Sequence, residues 1–239
     1  DEKIVPYVKQ PEDLVPGRPL YFATAITQNG FARGVLVESH MGRPTKIEGN
    51  PAHPDSLGAA DVLTQSSVLD LYDPDRSKTV LENGGISTWQ AFTNAAGRRL
   101  EVQKIKQGEG MRILTGTVVS PTLASQLQNV LTQFPKAKWI QYSAVNRDNA
   151  REGAIRFFGK DVSVRFDLAQ ADVILTLDSD FLNAGPGSIR YARDFADRRR
   201  ARGGKVLKGK MNRLYSVESS PSITGTNADH HLPVASGRI

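Results

Sequence analysis

Cysteine is absent from the 239 residues. That removes disulfides, thiolate zinc sites, Cys-ligated iron–sulfur clusters and a cysteine nucleophile from this stretch of chain. Long apolar runs are lacking as well. The longest, such as Val173-Ile-Leu-Thr-Leu177, stops at an acid, far short of the ~18 residues that a membrane-spanning helix needs. No G-x-G-x-x-G opens a predicted helix, and no G-x-S-x-G sets a serine on a nucleophile elbow. One segment, Gly204-Lys-Val-Leu-Lys-Gly-Lys210-Met211, has phosphate-loop spacing until its last position, where Met replaces the Ser or Thr that holds magnesium. It also leaves a helix and enters a strand, the reverse of a phosphate loop. The four histidines, His40, His53, His230 and His231, lack the i, i+4 spacing that brings two imidazoles to one metal on a helix. A start at Asp1 without Met and an end at Ile239 just after an apolar stretch read as a piece of a longer chain, with any targeting segment upstream.

What is present in excess is positive charge, +6 with a pI near 9.6. It is local. Arg198, Arg199, Arg200, Arg202, Lys205, Lys208, Lys210 and Arg213 form one run of eight cations without an acid, leaving the rest of the chain at −2. No aromatic residue interrupts the run to stack on bases, and no nucleic-acid motif lies beside it, so nucleic acid is set aside as a partner. The run reads first as a solvated helix end and loop, and second as a surface for an anionic partner at Arg198, Arg199, Arg200 and Arg202.

Periodicity divides the chain. Leu20 to Ile26, Ala32 to Glu38 and Thr45 to Glu48 alternate like short strands, broken by Asn29-Gly30 and Met41-Gly42-Arg43-Pro44. The glycines and prolines between Gly42 and Gly58 forbid a long element and predict an ordered turn series. Residues 1–82 are therefore expected to form a β-rich N-terminal element with a Gly/Pro-rich loop. Residues 83–239 are expected to form an α/β nucleotide-fold-like domain, cut short at its C-terminal end.

In that second part Ser87 is expected to cap a helix whose buried face carries Trp89, Phe92, Ala96 and Leu100. Ser120-Pro121 starts another helix, with Leu123, Leu127, Leu131 and Phe134 as its stripe. Helices are further expected over Asn146 to Phe158 and around Ile189 to Ala196. Strands are expected at Arg112 to Val118, Trp139 to Ser143, Val162 to Phe166, Val173 to Leu177, Leu214 to Val217 and Leu232 to Ala235. Strands alternating with helices imply an α/β fold with a mostly parallel sheet and helices on both faces. Open α/β sheets place ligands at the carboxyl ends of their strands, which draws attention to Asp178 and Asp180 beyond Val173 to Leu177. Their first reading is capping and turn formation before Gly185-Pro186-Gly187, and their second is a cation or polar-ligand site.

The stretch Gly42-Arg-Pro-Thr-Lys-Ile-Glu-Gly-Asn-Pro-Ala-His-Pro-Asp-Ser-Leu-Gly58, then Leu71-Tyr-Asp-Pro-Asp-Arg76 and Ser87-Thr-Trp89, resembles the start of molybdopterin oxidoreductase catalytic subunits. Ala171-Asp-Val-Ile-Leu175 and Asn227-Ala-Asp-His-His-Leu-Pro233 resemble that family's nucleotide-fold domain. The departures are as informative. Where active members carry a Cys cluster motif, residues 61–65 read Asp-Val-Leu-Thr-Gln; where a Gly-Ser-Asn type turn accepts the pterin dinucleotide, this chain has Asp178-Ser179-Asp180; where Val-Asp-Pro-Arg is usual, it has Val217-Glu218-Ser219-Ser220.

The pattern is most similar to the cofactor-less front half of the large iron–sulfur subunit of bacterial alternative complex III. That resemblance implies a non-catalytic structural domain of a membrane-attached respiratory quinol oxidoreductase, peripheral on the periplasmic side of the inner membrane. It implies no catalytic residue and no metal ligand here, with Asp178, Ser179, Asp180 and Glu218 as a vestigial cleft. Molybdopterin is expected to be absent and iron–sulfur clusters to lie in a C-terminal part beyond this segment. The partners implied are an iron–sulfur domain, a multihaem cytochrome and integral-membrane subunits. The alternative is the N-terminal fragment of an active molybdopterin-dependent enzyme of the tetrathionate or polysulfide reductase type.

Overall fold

A computed structural model describes residues 13–28, 31–200 and 211–239. The cations Arg202, Lys205, Lys208 and Lys210 and the Gly204 segment lie outside the described residues. The chain divides into two compact units. One comprises Asp1–Ile26, Arg33–Gln65 and Glu152–Ile239, and the other Thr27–Ala32 and Ser66–Arg151.

The first unit opens with β1 (Leu20–Gln28), β2 (Phe31–His40) and β3 (Arg43–Gly49), a three-stranded sheet in that order. β2 and β3 pair antiparallel through Met41 and Gly42, both at positive φ, and a bulge follows Glu38. From Asn50 to Gly58 the chain runs in successive turns, as the Gly and Pro spacing requires. Asn50 organises them, its side chain accepting from the Ala52 N–H and its carbonyl from Ser56 Oγ at 2.9 Å. Two glycines let the turns lie flat on the strands. A Cβ at Gly34 would stand 2.3 Å from the His53 ring, and one at Gly49 would stand 2.1 Å from the Ala59 carbonyl oxygen. A short helix, α1 (Val62–Ser66), follows, its Thr64 N–H bonded to Asp61.

The second unit contains the hairpin β4 (Leu81–Glu82) and β5 (Gly85–Ile86). Asn83 and Gly84 both take positive φ there, the turn that this pair favours. The helix α2 (Trp89–Ile105) is capped by Thr88, whose side chain accepts from the Ala91 N–H, rather than by Ser87. One residue decides it: Ser87 still donates its own N–H to Val80 as part of the hairpin exit. The expected face of α2 is not buried, since Trp89 is 68% and Phe92 51% exposed. Helical spacing aligns a stripe but does not supply a partner for it. β6 (Arg112–Thr115), α3 (Pro121–Gln133) and β7 (Lys138–Gln141) then form one parallel crossover, with Ser120 capping α3 as its sequence predicts.

After α4 (Asp148–Phe158) the chain returns to the first unit and builds β8 (Val173–Leu177), α5 (Ser188–Asp197), β9 (Arg213–Glu218), the four-residue α6 (Ile223–Thr226) and β10 (His230–Pro233). The three strands are parallel in the order β10-β9-β8, with Val173 opposite Arg213 and Leu232 opposite Val217. The parallel strands thus fall into two groups, one in each unit. Val162 to Phe166 is not a strand: the Phe166 N–H is taken by the Tyr191 hydroxyl at 3.1 Å, and its ring lies against Tyr191 at 5.6 Å.

The core of this unit is Leu168, Ile174, Phe181, Tyr191, Phe195 and Leu214, all on the α5 face of the sheet. On the opposite face Val173, Leu175 and Leu177 are exposed. Arginines join α5 to the turn series: Arg193 donates to the Leu57 carbonyl at 2.7 Å, Arg190 to that of Pro54, and Arg33 to Ser188 Oγ while pairing with Asp61.

Gly49→Ala should lower stability by about 2 kcal/mol or more, because its methyl group meets main chain that cannot swing aside. Gly97→Ala, in open space on α2, should be neutral or stabilise by up to about 1 kcal/mol. Urea unfolding of the two variants beside the parent protein checks both.

Candidate functional site

Parallel pairing brings the carboxyl ends of β8, β9 and β10 to one edge of the sheet. Asp178, Asp180 and Glu218 meet the α6 loop there. Asp178 leaves β8 with φ at +50°, a conformation that Asp tolerates better than most residues, and its N–H bonds the Val217 carbonyl at 2.8 Å. Its carboxylate accepts from the Ser219 N–H and Oγ, both at 3.2 Å. Asp180 Oδ1 accepts from the Thr224 N–H at 2.9 Å and from Thr224 Oγ1 at 2.7 Å. Thr224 in turn accepts from the Leu182 N–H. Ser179 is exposed and takes no part in these bonds.

Glu218 ends β9 and is only 3% exposed. Its carboxylate accepts from the Ser222 N–H at 3.0 Å and from Ser222 Oγ at 2.6 Å, with Ser216 Oγ at 3.4 Å and His231 Nε2 at 3.0 Å. Ser222 also caps α6 through the Gly225 N–H. Beneath them Thr176 donates to Ser216 at 3.1 Å, so the edge is a connected polar network. Gly225 is required by this packing, since a Cβ there would stand 1.8 Å from Glu218 Oε1. The Ser222 hydroxyl holds the Glu218 pKa below its ordinary value against the opposing effect of burial, helped by the Ser222 N–H, His231 and Ser216.

His230 and His231 point to opposite faces of β10, as adjacent strand residues must. His231 reaches Glu218, whereas His230 stacks on Tyr215 at 4.6 Å. Among the described residues no group of three or more His, Asp or Glu could hold a metal ion. Sequence reasoning missed Ser216, Ser219, Ser222, Thr224, Gly225 and His231 as members of the cluster. The available signal was the Ser219-Ser220-Pro221-Ser222-Ile223-Thr224-Gly225 turn, rich in hydroxyls and directly after a strand that ends in an acid.

Arg198, Arg199 and Arg200 of the basic run make ion pairs within the fold. Arg198 pairs with Asp172, and Arg200 with Asp197. Arg199 pairs with Asp229, donates to Asn212 Oδ1 at 2.8 Å and lies 4.4 Å over the Phe195 ring. Asp229 closes the amino end of β9 by accepting from the Leu214 N–H at 2.8 Å, and the Arg199 bond holds its pKa low. These arginines tie the sheet's amino end to α5, a role that competes with docking an anionic partner.

A pterin dinucleotide at the carboxyl edge would need free N–H donors for its pyrophosphate. The residues present do not fit that group. The N–H groups of Ser219, Ser222 and Thr224 are each bonded to a carboxylate, and those carboxylates repel an incoming polyphosphate.

Glu218 also generates a pH prediction. A carboxyl group whose folded pKa lies below its ordinary value of 4.5 contributes stability that is present above that value and is lost as pH falls through the folded pKa. Glu218→Gln should therefore lower the urea midpoint at neutral pH and flatten its fall in acid, compared at neutral pH and below pH 4.5.

No family model matches the chain. Over 209 residues, 85% of its length, it is 25% identical to the menaquinone reductase molybdopterin-binding-like subunit of Nitratidesulfovibrio vulgaris. The match spans 29% of that relative, well under two thirds of it. Among the described residues no helix is long and apolar enough to cross a membrane. Over most of its length, the chain is thus similar to a molybdopterin-binding-like subunit of a quinone reductase.

Proposed function

We propose that this chain is a non-catalytic structural segment of a multi-subunit, membrane-attached respiratory complex that exchanges electrons with a quinone. It descends in this reading from a molybdopterin oxidoreductase and has lost the cofactor. The observation that carries the reading is the Asp178–Ser219 contact, where a carboxylate from the turn after β8 occupies the Ser219 donors beyond β9. Likeness to the menaquinone reductase subunit supports the respiratory context. The missing cysteines at residues 61–65 support it further, because no cluster can be ligated there.

In this reading the segment belongs to an assembly of the alternative complex III kind, on the periplasmic face of the membrane. Its fold positions electron-carrying neighbours: an iron–sulfur domain, a multihaem cytochrome and integral-membrane subunits. The clusters lie outside this segment. No side chain described above acts as an acid, base or nucleophile in this role.

Metal analysis of the intact purified complex, with pterin fluorescence after oxidative release, tests the reading. We expect molybdenum far below one atom per copy of this chain and no pterin. One molybdenum and one pterin dinucleotide per copy would overturn it in favour of an active molybdopterin enzyme.

A further inference from the structure

We infer that Asp178, Asp180 and Glu218 act as a built-in substitute for the anionic part of a dinucleotide, closing the sheet's carboxyl edge with the chain's own charge. The inference rests on the cofactor-free reading above and adds how the vacated edge is held together. Its basis is a repeated geometry. Each carboxylate takes both the main-chain N–H and the side-chain hydroxyl of a single Ser or Thr: Asp178 from Ser219, Asp180 from Thr224, Glu218 from Ser222.

The partners stand 41, 44 and 4 residues apart, so two of the three clamps join the end of β8 to the segment after β9. Neither loop has a regular ladder to rely on beyond the strand ends. In a dinucleotide fold the donors at this edge are satisfied by phosphate oxygens, and the ligand orders the loops that bind it. Here the Ser219, Ser222 and Thr224 donors are satisfied from within, and the Thr224 and Glu218 side chains are fully or almost fully buried.

The arrangement opposes a polyphosphate in two ways. The Ser219, Ser222 and Thr224 N–H donors are already occupied, and the three occupying groups carry the same sign of charge as the ligand. A further steric lock comes from Gly225, whose Cα side is filled by the Glu218 carboxylate. The acids are therefore structural, whereas acids that merely lined a ligand cleft would be dispensable for folding or even costly to it.

The test uses the full chain, with Asp178→Ala, Asp180→Ala and Glu218→Gln made singly. Amide hydrogen exchange should show the Ser219, Thr224 and Ser222 N–H groups protected in the parent protein, and each variant should lose protection at its own partner by about tenfold or more. Tm should fall by about 5 °C for Asp180→Ala and Glu218→Gln. Neither inorganic pyrophosphate nor GDP should shift the Tm of the parent protein. If Glu218→Gln does not fold, Asp178→Ala at its exposed position still gives the exchange readout at Ser219.

Unchanged protection and unchanged Tm in the variants would overturn the inference while leaving the cofactor-free reading standing. A pyrophosphate- or GDP-dependent rise in the parent Tm would overturn it as well. Molybdenum in the intact complex overturns the functional reading instead, so the two failures are distinguishable.

Discussion

Parallel pairing of β8, β9 and β10 is the constraint on which the first unit depends. Strands that run the same way deliver all their carboxyl ends to one edge, and the N–H groups of the loops beyond that edge have no ladder partners. In a ligand-binding α/β fold that deficit is the basis of the site. In this chain three acids meet part of it, taking the N–H groups of Ser219, Thr224 and Ser222. The price is that Glu218 must stay ionised while nearly excluded from water, which it does with four donor groups from Ser222, Ser216 and His231 rather than with one strong cation.

The two ends of the same sheet solve opposite problems with opposite partners. At the amino end Asp229 accepts from the Leu214 N–H and is itself held by Arg199, which lies over Phe195 in the core. An acid there is paired with a cation. At the carboxyl end the acids are paired mainly with hydroxyls and N–H groups, joined at Glu218 by the His231 ring. Two arginines of what looks in sequence like a free basic run, Arg198 and Arg199, are fasteners from the end of α5 to Asp172 and Asp229. The remaining basic surface of α5 is used similarly, since Arg190 and Arg193 hold the carbonyls of the turn series at Pro54 and Leu57.

That turn series carries the longest family resemblance, and the fold explains why its spacing is so restrictive. Gly34 and Gly49 are needed where turns 50–58 press against β2 and β3, and Asn50 both starts and gathers the turns. Its residues serve packing.

Local signals settled much from the sequence alone. The three N-terminal strands, the Ser120-Pro121 start of α3, β8, α5, β9 and β10 follow from periodicity and capping rules that act within a few residues. The absence of cysteine settled which chemistries residues 61–65 cannot perform. Tertiary structure decided the rest. Phe166 lost its strand to the Tyr191 hydroxyl, the Trp89–Phe92–Leu100 stripe found no cover, and Thr88 displaced Ser87 as the cap. Above all, the sequence places Asp178 and Asp180 beside each other but gives no sign that their hydrogen-bond donors lie some forty residues away. That partnership exists only once β8 and β9 pair in parallel, because a carboxylate's donors are selected by which loop ends the sheet brings together.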